Sequence, residues 1–273
     1  MLNRSAAAWL KRLLGSVILG SLFPGCLPPP APSAPIPLRW VLAAPASVGG
    51  DAGRPLVIVL PGRGDDLDDL TASGIAVAVQ RAWPQADVLL AGATLSYYVD
   101  GKVAARLHDQ VLAPARARGY RRIWLAGASM GGMGALLYER SYPRDVTGLV
   151  LMAPYMGEPG LIREVAAAGG PARWAPGPAP AAVDSGNYQR ELWRMVKSWG
   201  TSPVEAERIW LACGKYDRFI QAATLVASQL PPGHFILVPG DHDWPSWDAG
   251  AEQAFARIAA RQGSISSTPS SPR

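Results

Sequence analysis

Two cysteines and three histidines are all that the 273 residues hold of the types that most often build disulfides and metal centres. Cys26 and Cys213 are isolated in sequence and make no disulfide framework. Cys213 directly follows the apolar run 209–212 and is expected to be buried in a strand. Charge is also scarce, 17% of residues against 49% apolar, which excludes disorder throughout and fits one sizeable globular domain. The glycine-rich segment at 62–64 lacks the lysine of a P-loop and the spacing of a dinucleotide fingerprint, so no cofactor and no metal is expected. The net charge of +5 does not point to nucleic acid. Arg4, Lys11 and Arg12 fall in the first 25 residues, which hold no acid, and without them 23 basic residues face 21 acidic ones with no basic patch.

That first segment has the form of a secretory signal, with a basic stretch to Arg12, an apolar run at 13–23 and then Pro24-Gly25-Cys26. The run is too short to span a bilayer as a helix, which takes about 20 residues. A cysteine after a small residue at its end resembles a bacterial lipoprotein box, in which Cys26 is lipidated and becomes the mature N-terminus. Secretion without lipidation and a retained anchor are the alternatives. An exported protein, periplasmic or tethered to a membrane through Cys26, is therefore expected.

Residues 26–37 are dominated by proline and read as an extended tether, and residues 263–273, rich in serine and proline, read as a disordered tail. Between them short apolar runs alternate with amphipathic ones. Strands are expected at 56–60, 88–90, 123–126, 149–152, 209–212 and 235–238, with an antiparallel edge strand at 38–42. Helices are expected at 67–81, 102–118, 130–142, 188–199, 218–230 and 252–261. This alternation implies an α/β domain over 38–262 with a mostly parallel sheet flanked by helices. About 155–205 is too long for an ordinary crossover and reads as a cap over one end of the sheet. Its Trp174, Trp193 and Trp199 either line a pocket or pin the cap to the core.

Ser129 lies in Gly127-Ala128-Ser129-Met130-Gly131, between an expected strand and an expected helix. In a chain with 29 glycines the bare G-x-S-x-G pattern carries little, but the strand–turn–helix context is the one that presents a nucleophilic serine. A serine hydroxyl needs a base and a group that orients the base. His108 falls in an expected helix and His234 at the mouth of a strand, where structural roles are the rule. His242 follows the last expected strand, in the loop Pro239-Gly240-Asp241-His242-Asp243-Trp244-Pro245. Asp217 follows the strand before it through Gly214-Lys215-Tyr216, and can serve either as the orienting carboxylate or as the cap of the next helix. The oxyanion donors expected for acyl transfer are the backbone N–H of Met130 and that of Arg63, with Gly64 in reserve. Asp65, Asp66, Asp68 and Asp69 then suit a helix N-terminus.

These residues together resemble the α/β-hydrolase superfamily over about residues 38–261, and within it the bacterial serine esterases. The resemblance implies the α/β-hydrolase fold with its cap insertion between strands six and seven. It assigns Ser129 as nucleophile, Asp217 as the acid after the seventh strand and His242 as the base after the eighth. Pro61 stands where the family usually has a histidine before the first glycine of the oxyanion loop. Because the donors are backbone groups, the loop is still expected to work.

The implied function is hydrolysis of carboxylic esters, small-molecule or lipid, through an acyl-enzyme. Tyr97, Tyr98, Trp174 and Trp244 are the expected pocket residues. A thioesterase, peptidase or acyltransferase using the same three residues remains open, as does a non-catalytic binding lipoprotein on the same fold. A metal-dependent hydrolase built on Asp65, Asp66, Asp241, His242 and Asp243 is the remaining rival.

Overall fold

The computed structural model describes residues 34–44 and 53–266. The expected leader, the lipidation site Cys26, the tether up to residue 33 and the tail from residue 267 lie outside the described residues. Among the described residues no helix is long and apolar enough to cross a membrane.

Seven strands form one sheet: β1 (Leu38–Val41), β2 (Pro55–Leu60), β3 (Asp87–Ala91), β4 (Arg122–Ala128), β5 (Gly148–Met152), β6 (Ile209–Gly214) and β7 (Phe235–Val238). They lie in the order β1-β3-β2-β4-β5-β6-β7. β1 is antiparallel to β3, and every other pairing is parallel. Each residue of β2, β3, β5 and β6 is buried, as continuous apolar runs covered on both faces must be. Of the two edge strands, β1 has no buried residue and β7 has two of four. Cys213 is buried in β6, where burial pushes its thiol up to about 12.

The helices are α1 (Leu67–Ala72), α2 (Ile75–Ala82), α3 (Val103–Leu107), α4 (Ala113–Ala117), α5 (Met130–Ser141), α6 (Pro159–Ala167), α7 (Tyr188–Trp199), α8 (Pro203–Ala206), α9 (Ile220–Ala227) and α10 (Trp244–Ser266). Three depart from expectation for identifiable reasons. The helix expected over 67–81 breaks into α1 and α2 because Gly74 takes φ 94°, a left-handed conformation that ends one helix and starts the next. The helix over 102–118 carries a π segment, His108–Leu112, just before Pro114, whose missing N–H disrupts the regular ladder. The last helix begins eight residues earlier than expected, at Trp244, because Asp243 accepts the Ser246 N–H at 3.1 Å and Pro245 fits a first turn. It also runs through residues 263–266, which the tail was expected to include.

The tether likewise ends sooner than expected. Ile36 is buried and its N–H bonds Gln110 Oε1 at 2.9 Å, while Pro35 and Pro37 carbonyls accept from the Tyr97 hydroxyl and the Gly92 N–H. Residues 35–37 thus belong to the domain.

The long insertion falls between β5 and β6. The expectation placed it between a sixth and a seventh strand; in the seven-stranded sheet of the described residues the flanking strands are the fifth and sixth. It consists of α6, irregular chain, α7 and α8. Trp174, Trp193 and Trp199 are buried in the main core, with the Trp193 N–H on the Met156 carbonyl at 2.8 Å and the Trp174 N–H on Glu164 Oε1 at 2.8 Å. The three tryptophans pin the insertion down.

Candidate active site

Parallel strands deliver their following loops to one edge of the sheet, and four of these loops build the site. At the end of β4, Ser129 takes φ 52° and ψ −110°, a conformation that non-glycine residues adopt only under constraint. The constraint is close packing. A Cβ at Gly131 would lie 2.5 Å from the Leu60 carbonyl oxygen and 2.6 Å from that of Pro61, and a Cβ at Gly127 would strike the Gly131 backbone. Two hydrogen bonds hold the turn, Ser129 N–H to the Met152 carbonyl at 2.8 Å and Tyr155 N–H to the Ser129 carbonyl at 2.9 Å.

The Ser129 Oγ lies 2.9 Å from His242 Nε2. On the other side of the ring, His242 Nδ1 lies 2.9 and 2.8 Å from the two carboxylate oxygens of Asp217. The carboxylate can only accept, so this contact assigns the ring proton to Nδ1 and leaves Nε2 free to accept from the serine hydroxyl. Asp217 is 1% exposed, and its Oδ1 also takes the Phe219 N–H at 2.7 Å. The carboxylate thus contacts both the histidine and the turn before α9, a helix that starts at Ile220 with Phe219, not Asp217, at its N-cap. The imidazole is clamped edge-to-face by Phe219 at 4.7 Å and Trp247 at 4.9 Å. Neither of these two aromatics was singled out in the sequence. Phe219 could have been found from its place two residues after Asp217, and Trp247 from helical spacing once the true start of α10 was recognised.

Two cavities meet at Ser129. One, about 470 Å³, is lined by Arg63, Leu95, Met130, Met133, Tyr155, Glu158, Tyr188, Arg218 and Phe219 along with the serine. The other, about 240 Å³, lies on the His242 side between Arg63, Asp65, Arg218, Asp243, Trp244 and Trp247. Among the described residues no acceptor takes the backbone N–H of Met130 or of Arg63. Tyr155, Glu158 and Tyr188 come from the insertion and its entry, so the insertion walls the site.

The expected pocket residues divide. Trp244 lines the smaller cavity and donates its N–H to Asp65 Oδ2 at 3.1 Å. Tyr98 lines an adjoining apolar cavity of about 400 Å³ with Leu95, Met133, Leu137 and Tyr188, and its hydroxyl is buried with no partner. Tyr97 and Trp174 are corrections. Tyr97 turns its hydroxyl to the Pro35 carbonyl at 2.9 Å, and Trp174 is packed beneath the insertion; neither lines a cavity at Ser129.

The other two histidines are packed into the structure. His108 stacks on Tyr142 at 4.2 Å, and His234 stacks on Trp210 at 4.0 Å with Nδ1 on the Ile209 carbonyl, burial lowering its pKa. Three acids of the rival metal set are engaged elsewhere. Asp66 caps α1 in a capping box with Asp69, Asp65 holds Trp244, and Asp243 caps α10. Among the described residues no three His, Cys, Asp or Glu side chains are grouped so as to hold a metal ion. Burial raises the pKa of Asp65, opposed by its bond from Trp244.

The family model Hydrolase_4, described as serine aminopeptidase S33, matches residues 103–183, a span that contains Ser129 but neither Asp217 nor His242. No curated protein matches the chain in sequence. Solved structures do match in fold. Est1E from Butyrivibrio proteoclasticus is 19% identical with a TM-score of 0.54, the alignment covering 84% of this chain and 96% of that one. MPT51 (FbpC1) of Mycobacterium tuberculosis is 17% identical with a TM-score of 0.54, covering 86% and 97%. The fluorophosphonate-binding serine hydrolase F of Staphylococcus aureus is 15% identical with a TM-score of 0.53, covering 81% and 91%. The strand order and the breadth of these alignments identify the fold of the chain as that of the α/β-hydrolase superfamily.

Proposed function

We propose that the protein is a serine hydrolase that cleaves carboxylic esters through an acyl-enzyme. The observation that carries this reading is the continuous chain of contacts from Asp217 through His242 to the Ser129 hydroxyl, each at 2.8–2.9 Å. In the proposed reaction His242 Nε2 takes the hydroxyl proton as Oγ bonds to the substrate carbonyl carbon. Asp217 stabilises the imidazolium that forms. The negative charge moving onto the carbonyl oxygen is met by the N–H groups of Met130 and Arg63, each worth about 3 kcal/mol in such sites. His242 then returns its proton to the departing alcohol oxygen, and water repeats the sequence to release the acid. A ferulic acid esterase and a fluorophosphonate-binding serine hydrolase among the proteins of like fold support this reading.

Labelling with a fluorophosphonate probe followed by peptide mapping tests nucleophile and activation together. A single adduct on Ser129 is expected, and Ser129→Ala is expected to lose both labelling and at least about 10⁴-fold of ester turnover with folding intact. Retained activity in that variant would end the proposal. The partial match to the aminopeptidase model favours a peptidase as the second reading, and aminoacyl amides assayed beside aryl esters separate the two. Export with lipidation at Cys26 belongs to the same proposal on sequence grounds. The mass of the mature N-terminus decides it.

A further inference from the structure

Most arginines of the described structure donate to a carboxylate or to a backbone carbonyl, as Arg54, Arg106, Arg140, Arg194 and Arg208 do. Among the described residues Arg63, Arg118, Arg163, Arg173 and Arg218 do not, and of these Arg63 and Arg218 stand at the site. Both side chains are exposed, and among the described residues neither guanidinium hydrogen-bonds or pairs with an acid. Both nevertheless line each of the two cavities that meet at Ser129. Arg63 stands on the loop after β2. Arg218 directly follows Asp217, and its guanidinium lies 5.2 Å from the centroid of the Phe219 ring, which itself packs on His242. Two like charges are thus kept on the walls of one cleft, neither in contact with an acid.

Three carboxylates also line the cleft, but neither guanidinium pairs with them, because each carboxylate is held by another donor. Glu158 accepts the Tyr155 hydroxyl at 2.6 Å, Asp65 accepts from Trp244, and Asp243 accepts from Ser246. The apolar cavity under Leu95, Met133, Leu137 and Tyr98 shares walls with the larger of the two cavities and suits an acyl arm. The smaller cavity lies beside His242, which hands its proton to the leaving alcohol, so the alcohol part belongs there, between the two guanidiniums.

We infer that the preferred substrates are esters with an apolar acyl group and an alcohol part that carries an anion, a carboxylate or a phosphate, recognised by Arg63 and Arg218. The planar guanidinium fork matches either group. This inference rests on the ester-hydrolase reading above and adds the substrate class to it.

The test uses three butyrate esters of matched shape, those of 3-hydroxybenzoate, of 3-hydroxyphenyl phosphate and of the neutral 3-hydroxybenzamide, assayed on the wild type and on Arg218→Gln and Arg218→Lys. Comparing ratios between variants cancels the differing leaving groups. The anionic-to-neutral ratio of kcat/KM is expected to fall about tenfold in Arg218→Gln, through KM, to recover in part in Arg218→Lys, and to shrink in 0.5 M salt. Whichever anionic ester loses more identifies carboxylate or phosphate as the better fit. A ratio unmoved by Arg218→Gln overturns the inference and leaves the hydrolase reading standing. If the wild type turns over none of the three and resists the fluorophosphonate, the hydrolase reading fails instead. Calorimetry of the same esters on Ser129→Ala then judges the cleft alone, and anionic esters binding no tighter than the neutral one overturn the anion site.

Discussion

The carboxyl edge of the sheet and the insertion between β5 and β6 hold their shapes by different means. At the edge the backbone itself is constrained. Ser129 is held at positive φ by a collision-tight elbow, and the buried Asp217 carboxylate reaches His242 with both oxygens while one of them also accepts a main-chain N–H. In the insertion the means are side chains, with buried tryptophans whose ring N–H groups find a carbonyl or a carboxylate, and Arg190 on Glu164 at 2.8 Å. The edge is therefore specialised for positioning and the insertion for attachment. Substitutions in the two regions should damage different quantities.

The sharpest separation comes from Asp217→Asn. The amide keeps the shape but can present N–H to Nδ1, favouring the wrong tautomer of His242. Turnover of an aryl ester should fall about 10⁴-fold, while the urea midpoint moves little. Equal losses in activity and stability would erase the distinction between the regions. The converse variant is Trp193→Ala in α7. Removing a fully buried indole should cost about 4 kcal/mol in urea unfolding, with kcat for a small ester changed far less than stability. A folded, stable Trp193→Ala with kcat abolished would mean that the insertion shapes the chemistry directly.

The same contrast explains what could be read from the sequence. The five inner strands were legible because burial on both faces leaves nearly unbroken apolar runs, while β1 and β7, at the two rims of the sheet, stood out only as short runs. Ser129, Asp217 and His242 stood out because each follows a strand at the same edge, and the structure brings the three into contact. The insertion left little trace. Its α6 and α8 were not anticipated, and Trp174 looked like a pocket residue because an isolated tryptophan in a proline-rich stretch has no periodicity to show which way it faces. Tyr97 and Tyr98 are adjacent in sequence but part ways, since a single turn of 3-10 helix at Leu95–Tyr97 sends one hydroxyl to Pro35 and the other under Gly134. Arg63 was expected for its backbone alone. The unpaired state of its side chain, and that of Arg218, depends on which acids are already occupied, which only the fold decides.

A smaller effect probes how the edge is supported from behind. Asp248, one turn into α10, has a buried Oδ1 with no partner and approaches the turn at Gly74; burial, with Glu252 one turn on as a second cause, pushes its carboxyl up to about 7. A carboxyl whose folded pKa lies above its unfolded value holds its proton longer in the folded protein. The folded state is then unpenalised below about pH 4, loses stability as pH rises from there towards 7, and carries the full penalty above that. Asp248→Asn keeps the shape and removes the ionisation. Urea unfolding at pH 8 should find it more stable than the wild type by ~2 kcal/mol, after allowing for the part of the carboxylate that water reaches, and at pH 4 the two should coincide. A variant equally stabilised at both pH values would assign the gain to packing. A variant less stable at pH 8 would show that the ionised carboxylate has a partner at the start of α2, and that the edge draws support from charge as well as from backbone geometry.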